Sequence, residues 1–204
     1  MDYLSFRKQF FDYKVFSLME VEKIFPDFNR INLVNWQKKG YLIKLRNGWY
    51  RFAEIPLDES LLFLIANKIY NPSYISFQSA ASWHGLIPEA VFTITSATTV
   101  KTANYTNQDG YFKYLTLKKS LFFGYGWIQR DDTLIRMADI EKTLIDLLYS
   151  DHTISSESDL EGLRLKKTEL KENINLAKLD NYLKLISSPV VTKRISLLKN
   201  YLYD

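Results

Sequence analysis

The predicted elements define an α+β protein. Residues 1–55 carry three short helical patterns closed by an Asn-Gly hairpin, residues 74–138 carry short strand-like runs separated by turn residues, and helical patterns return from residue 139. Two units are expected on this basis: residues 1–55, and residues 56–204 with 56–71 as a linking helix. The second unit is expected to be mixed, with mostly antiparallel strands and helices at its C-terminal end.

The chain has 204 residues, 47% of them apolar, enough for a real core. It contains no cysteine, which excludes disulfides, thiolate metal sites and thiol nucleophiles. Charged residues interrupt every apolar stretch before the ~18 residues of a membrane span, and the N-terminus does not read as a signal segment, so a cytoplasmic location is expected. The net charge is +4, and it is unevenly placed. Residues 1–55 hold 10 Lys or Arg against 6 Asp or Glu, whereas the remaining 17 basic residues face 17 acidic ones. Local cationic excess favours phosphate partners, because neutralising a phosphate releases its condensed counterions.

Each element of the first unit has a local cause. "DYLSFRKQFFDY" places Tyr3, Leu4, Phe6, Phe10 and Phe11 for one amphipathic helix. Ser17, with Glu20 three residues on, forms a capping-box pattern for a second helix, which Pro26 ends. In "NRINLVNWQKKG", Leu33 and Trp36 face inward, leaving Arg30, Asn32, Asn35, Lys38 and Lys39 outward with no apolar patch among them; Gly40 stops the helix. "YLIKLRNGWYRFAE" is then a hairpin turning at Asn47-Gly48, with a type I′ turn expected. Three short helices followed by a two-stranded ribbon describe a winged helix-turn-helix, whose third helix enters the DNA major groove. Arg30, Asn32, Asn35, Lys38 and Lys39 are the candidates for base-edge and adjacent phosphate contacts, and Lys44, Arg46, Asn47 and Arg51 for contacts from the wing. A protein-binding helix-and-hairpin module is the competing reading.

In the second unit, "PLDESLLFLIANKIYNP" is a helix with Asp58 near its cap. Residues 74–77 suit a strand and 78–84 a short helix ending at Gly85. Strands follow at "AVFTITSA", "YFKYLTL", "LFFGYGWI" and "TLIRMA", with turns at Asn107–Gly110 and Asp131-Asp132. "DIEKTLIDLLYS" is a helix with Ile140, Leu144, Ile145 and Leu148 in an apolar stripe, "SDHTISSESDLEG" a polar loop, and "INLAKLDNYLKLISS" and "PVVTKRISLLKNYLYD" two closing helices.

The residues give catalysis little support. His84, between Trp83 and Gly85 at a helix end, suits a structural imidazole that satisfies a terminal carbonyl or interacts with the helix dipole, and His152 lies in the polar loop. The two histidines lack HxH or HExxH spacing, so no metal site, catalytic group or cofactor is expected. Asp131, Asp132, Glu141 and Lys142 are the acids and lysine on which a metal-dependent nucleic-acid enzyme would have to rest. Asp131 and Asp132 read as solvated turn acids, and Glu141, Lys142 and Asp146 as a polar helix face.

Three stretches, "LVNWQKKGYLIKLRNGWYRF", "SYISFQSAASWHGLI" and "RMADIEKTLIDLLY", taken in this order, resemble the AbiEi-like antitoxins of type IV toxin-antitoxin, or abortive-infection, systems over about residues 1–150. The resemblance implies a bacterial, non-enzymatic repressor. Its N-terminal winged helix would bind inverted repeats in its own promoter, and its C-terminal antitoxin domain would counteract a nucleotidyltransferase-like toxin. That toxin class carries a Gly-Ser signature, and this chain has no Gly-Ser dipeptide. "SYISFQSAASWHGLI" would then be scaffold, with Trp83 and Leu86 in the core.

Overall fold

A computed structural model describes residues 1–186 and 188–203. The chain opens with α1 (Tyr3–Phe10), β1 (Val15–Ser17), α2 (Leu18–Ile24), α3 (Ile31–Lys38), β2 (Leu42–Arg46) and β3 (Trp49–Phe52). The Ser17–Glu20 capping box starts α2, and Gly40, at φ +73°, follows α3 in the left-handed conformation that glycine tolerates. The expected two-stranded ribbon is a three-stranded antiparallel sheet, because β1 pairs with β3 to give the order β1-β3-β2. The turn also differs from type I′: Gly48 has φ +77° but Asn47 stays out of the left-handed region, and the register shifts between Lys44 and Arg46. The Gly48 carbonyl accepts from Leu18 N at 2.7 Å, holding the hairpin tip against the start of α2.

Next come α4 (Glu59–Ile69), β4 (Ser73–Ile75), α5 (Phe77–Trp83), β5 (Thr93–Thr98), β6 (Ala103–Asn107), β7 (Gly110–Thr116), β8 (Tyr125–Arg130) and β9 (Thr133–Ala138). These strands form one six-stranded mixed sheet, β6-β7-β5-β4-β9-β8. Its β4–β9 and β5–β7 pairings are parallel and the other three antiparallel. The chain ends with α6 (Ile140–Ser150), α7 (Glu157–Glu161), α8 (Lys167–Asn173), α9 (Leu176–Leu185) and α10 (Pro189–Tyr203). Strand β6 and helices α7 and α8 go beyond the elements expected from the sequence, and α7 occupies part of the expected polar loop. Among the described residues there are ten α-helices, none long and apolar enough to cross a membrane.

The apolar residues sort into layers. Phe6, Phe10, Phe16, Leu33, Trp36 and Phe52 lock α1–α3 onto one face of the small sheet. Its other face supplies Val15 and Leu45 to a second cluster, where α4, through Leu61 and Ile65, lies against Ile75, Ile94, Phe112 and Ile135 of the large sheet. The third cluster, on the far face of the large sheet, joins α5 and α6 to the C-terminal helices through Phe77, Leu144, Leu148, Val191 and Ile195. The small sheet is therefore a shared wall with apolar layers on both sides.

The same wall carries a buried ion pair. Arg51, 4% exposed, donates from Nε and Nη2 to both carboxylate oxygens of Asp109 at 2.7 and 2.6 Å, and from Nη1 to the carbonyls of Phe52 and Ile55. In β3, Tyr50 and Phe52 face the helices, so alternation turns Arg51 to the other side. This fork ties residues 1–55 to the β6–β7 turn.

Candidate nucleic-acid interface

The sequence of α3 sets its two faces. Leu33 and Trp36 are buried, as expected, and the opposite face presents Ile31, Val34, Asn35, Lys38 and, just past the helix, Lys39. At 100° per residue these five fall on one arc. Asn32 lies at its half-buried edge, and the Gln37 amide donates to the Leu33 carbonyl at 2.9 Å. No carboxylate occurs from Ile31 to Lys39. One expectation for this face is corrected: it is not free of apolar surface, since Ile31 is 52% and Val34 43% exposed. Arg30 precedes the helix, and its Nε donates to Glu22 Oε1 on α2 at 2.6 Å. The pair is exposed and contributes at most about 1 kcal/mol, so phosphate can compete for the guanidinium. This contact brings Glu22, near the end of α2, to the residue that precedes α3.

The four wing candidates separate. Lys44 and Asn47 are exposed. Arg51 is removed from any surface by Asp109, and its assignment to phosphate contact is withdrawn. Arg46 is held inward: Nη1 donates to the Ile69 carbonyl at 2.6 Å, and the guanidinium lies over Tyr105, 4.4 Å from the ring centroid, and over Tyr70. Both arginines face the second unit because the ribbon is a wall, so a freely projecting wing is ruled out. Among the described residues of 1–55, the exposed cations with no ion-pair or hydrogen-bond partner are Lys8, Lys23, Lys38, Lys39 and Lys44.

The residues considered for catalysis are dispersed. Asp131 and Asp132 lie in the β8–β9 turn, and Glu141 beyond the other end of β9, a six-residue strand spanning about 20 Å. Asp132 pairs with Lys14, whose hydrogen bond holds its carboxyl below the usual range. Glu141 accepts from Asn175 N at 2.8 Å and pairs with Lys178 at 3.0 Å. Burial acts to lower the Lys178 ammonium pKa, but hydrogen bonds to Glu141 and Asp139 outweigh it and the net shift is upward. Burial and the hydrogen bond it donates to Asp139 push the Tyr182 hydroxyl up to about 12. These contacts clamp α9 onto the start of α6.

The polar face expected on α6 is not solvated. Lys142 and Asp146 are both fully buried and form an ion pair, and Asp146 Oδ2 accepts from Tyr74 Oη at 3.0 Å and Ser76 Oγ at 2.7 Å. Burial drives the Asp146 carboxyl upward, opposed by Lys142 and the two hydroxyls. His84 donates from Nε2 to the Ala138 carbonyl at 2.8 Å, a strand carbonyl and not the helix-terminal one expected. Leu86 is fully buried and Trp83 half-buried. No cluster of three or more metal-ligating side chains occurs among the described residues.

Compared with known proteins, the sequence matches no protein-family model and no curated protein.

Proposed function

We propose that the chain binds double-stranded DNA through α3, with residues 1–55 acting as a winged helix-turn-helix. One observation carries the reading: the exposed face of α3 presents Asn35, Lys38 and Lys39 with no carboxylate among its own residues. Asn is suited to the adenine edge, Lys to phosphate or guanine, and the exposed Ile31 and Val34 to thymine methyl groups. The order helix, strand, helix, helix, strand, strand supports the same reading. The ribbon contributes Lys44 and Asn47 only, which puts most of the contact on the helix.

The three ordered motifs extend this proposal to an antitoxin of the AbiEi-like kind: a repressor of its own operon that counteracts a nucleotidyltransferase-like toxin. Binding to the chain's own upstream DNA and to a shuffled duplex, followed by fluorescence anisotropy across a salt series, tests the DNA reading. Selective binding that Asn35→Ala weakens on the native sequence supports it. Equal binding to both duplexes, or none, refutes it. Loss of toxicity of a neighbouring gene product on co-expression tests the antitoxin role separately.

A second reading has its own observation. Ile31 and Val34 leave apolar area on the face that would meet DNA, and a protein partner would bury it. Salt-insensitive association with no DNA binding would favour that alternative.

A further inference from the structure

The far face of the large sheet is only partly covered. Helix α5 packs on β5, but Tyr111 and Lys113 on the same face of β7 remain exposed. Where this cover ends, a cavity of about 580 Å³ opens between α5, β5, β7 and the loops at 87–92 and 162–164. That volume falls within the roughly 300–1,000 Å³ of small-molecule sites. Ala81, Ile87, Val91, Leu147 and Leu163 make much of its wall apolar, beside Thr93 and Thr95 of β5.

Two exposed polar side chains on the lining, Gln78 of α5 and Lys113 of β7, are unengaged. Among the described residues, neither the Lys113 ammonium nor the Gln78 amide has an ion-pair or side-chain hydrogen-bond partner. Arg164 reaches Glu89 at 2.5 Å near the mouth, an ion pair with angles outside hydrogen-bond geometry, so the one carboxylate on the lining is already matched. The uncompensated charge is therefore a single cation. Gln78 follows Phe77, a fully buried residue held at φ +56°, a left-handed conformation that side chains other than glycine adopt at a cost of about 1–3 kcal/mol. The surrounding packing fixes the backbone that presents the Gln78 amide.

We propose that this cavity binds a small amphipathic carboxylate, with its apolar body against Ala81, Leu147 and Leu163 and its carboxylate on Lys113 and Gln78. A single negative charge matches the single free cation; a polyphosphate would need several, and an ammonium ligand would meet Lys113 with like charge. The walls favour an alkyl chain or one ring over a sugar, whose hydroxyls would lose water without replacement. The site is separate from α3 and stands whether or not the chain binds DNA.

Octanoate and its neutral counterpart octanamide are suitable probes, each titrated into the full chain and followed by methyl NMR. Octanoate is expected to bind at one site, shifting the methyl signals of Ala81, Leu147 and Leu163, at least tenfold more tightly than octanamide. Lys113→Met should remove that preference while leaving octanamide unchanged, and because Lys113 is exposed the variant retains the fold. Ile87→Trp should block both ligands. No saturable binding, equal affinity for the two probes, or octanoate binding indifferent to Lys113→Met would each overturn the assignment.

Discussion

Replacing Lys142 by Met leaves the Asp146 carboxylate fully buried without its cation. Removing one partner of a buried ion pair costs about 3–5 kcal/mol. Tyr74 and Ser76 still donate to Asp146, which puts Lys142→Met near the lower end, about 3 kcal/mol. Asp146→Asn strands the ammonium instead, since among the described residues Lys142 Nζ has no second acceptor, and should cost about 4 kcal/mol. The double variant removes both charges but keeps an amide oxygen for the two hydroxyls, so it should be more stable than either single variant. Urea denaturation at pH 7, with the m-value as a check on two-state behaviour, gives all three numbers. The pH dependence has a definite sign. Burial already raises the Asp146 carboxyl, and losing Lys142 raises it further. The folded variant then takes up a proton before the unfolded chain, whose Asp titrates near about 3.9. The deficit relative to the parent is therefore largest at high pH and shrinks as pH falls through the raised pKa, by at most about 1.4 kcal/mol per pH unit. Additive single costs, or a deficit that grows on acidification, would refute the view of a charged pair held in a dry interior.

Lys39→Ala should lower the salt slope of DNA binding by about 0.9 for each phosphate that Lys39 neutralises, whereas Arg51→Met should leave the slope unchanged and destabilise the fold by about 3 kcal/mol; anisotropy and urea melts separate the two. Gly124→Ala should cost at least about 1 kcal/mol by thermal melting, because Gly124 has φ +70° and an added Cβ would lie 2.9 Å from Lys142 Cβ. Ser17→Ala should cost about 1 kcal/mol by removing the capping box that starts α2, seen as a lower urea midpoint.

What the sequence revealed was local. Ser17 with Glu20, and Asp58 before α4, each signal a helix start within four residues, and each cap is present. Leu33 and Trp36 likewise identify the inner face of α3. The rest depends on pairing and packing that no local stretch displays. Strand β1 is only "VFS", buried throughout, so it has neither the length nor the alternation that marks a strand. Strand β6, "ANYTN", is a largely polar edge strand that its pairing with β7 defines. Arg46 and Arg51 were legible as charges, but Asp109 and the Ile69 carbonyl, which claim them, lie 58 residues from Arg51 and 23 from Arg46. Lys142 and Asp146 have the spacing of a solvated helix pair, and only the packing around α6 shows that water is excluded. The α3 candidates Asn35, Lys38 and Lys39 remain together on one exposed face, whereas the wing set does not.

The shared small sheet bears on how such a chain can be cut and recombined. Ending it after residue 55 would strip the cover from Val15 and Leu45 and leave Arg51 without its carboxylate. The fragment would offer a greasy, ragged strand surface to its own copies, and precipitation would be the natural outcome. A chimera that borrows α3 for a new target fares better if it takes only the outward residues of that helix and leaves the strands beneath with their original neighbours. Helix α3 is portable as a set of side chains, while its foundation is not portable as a block.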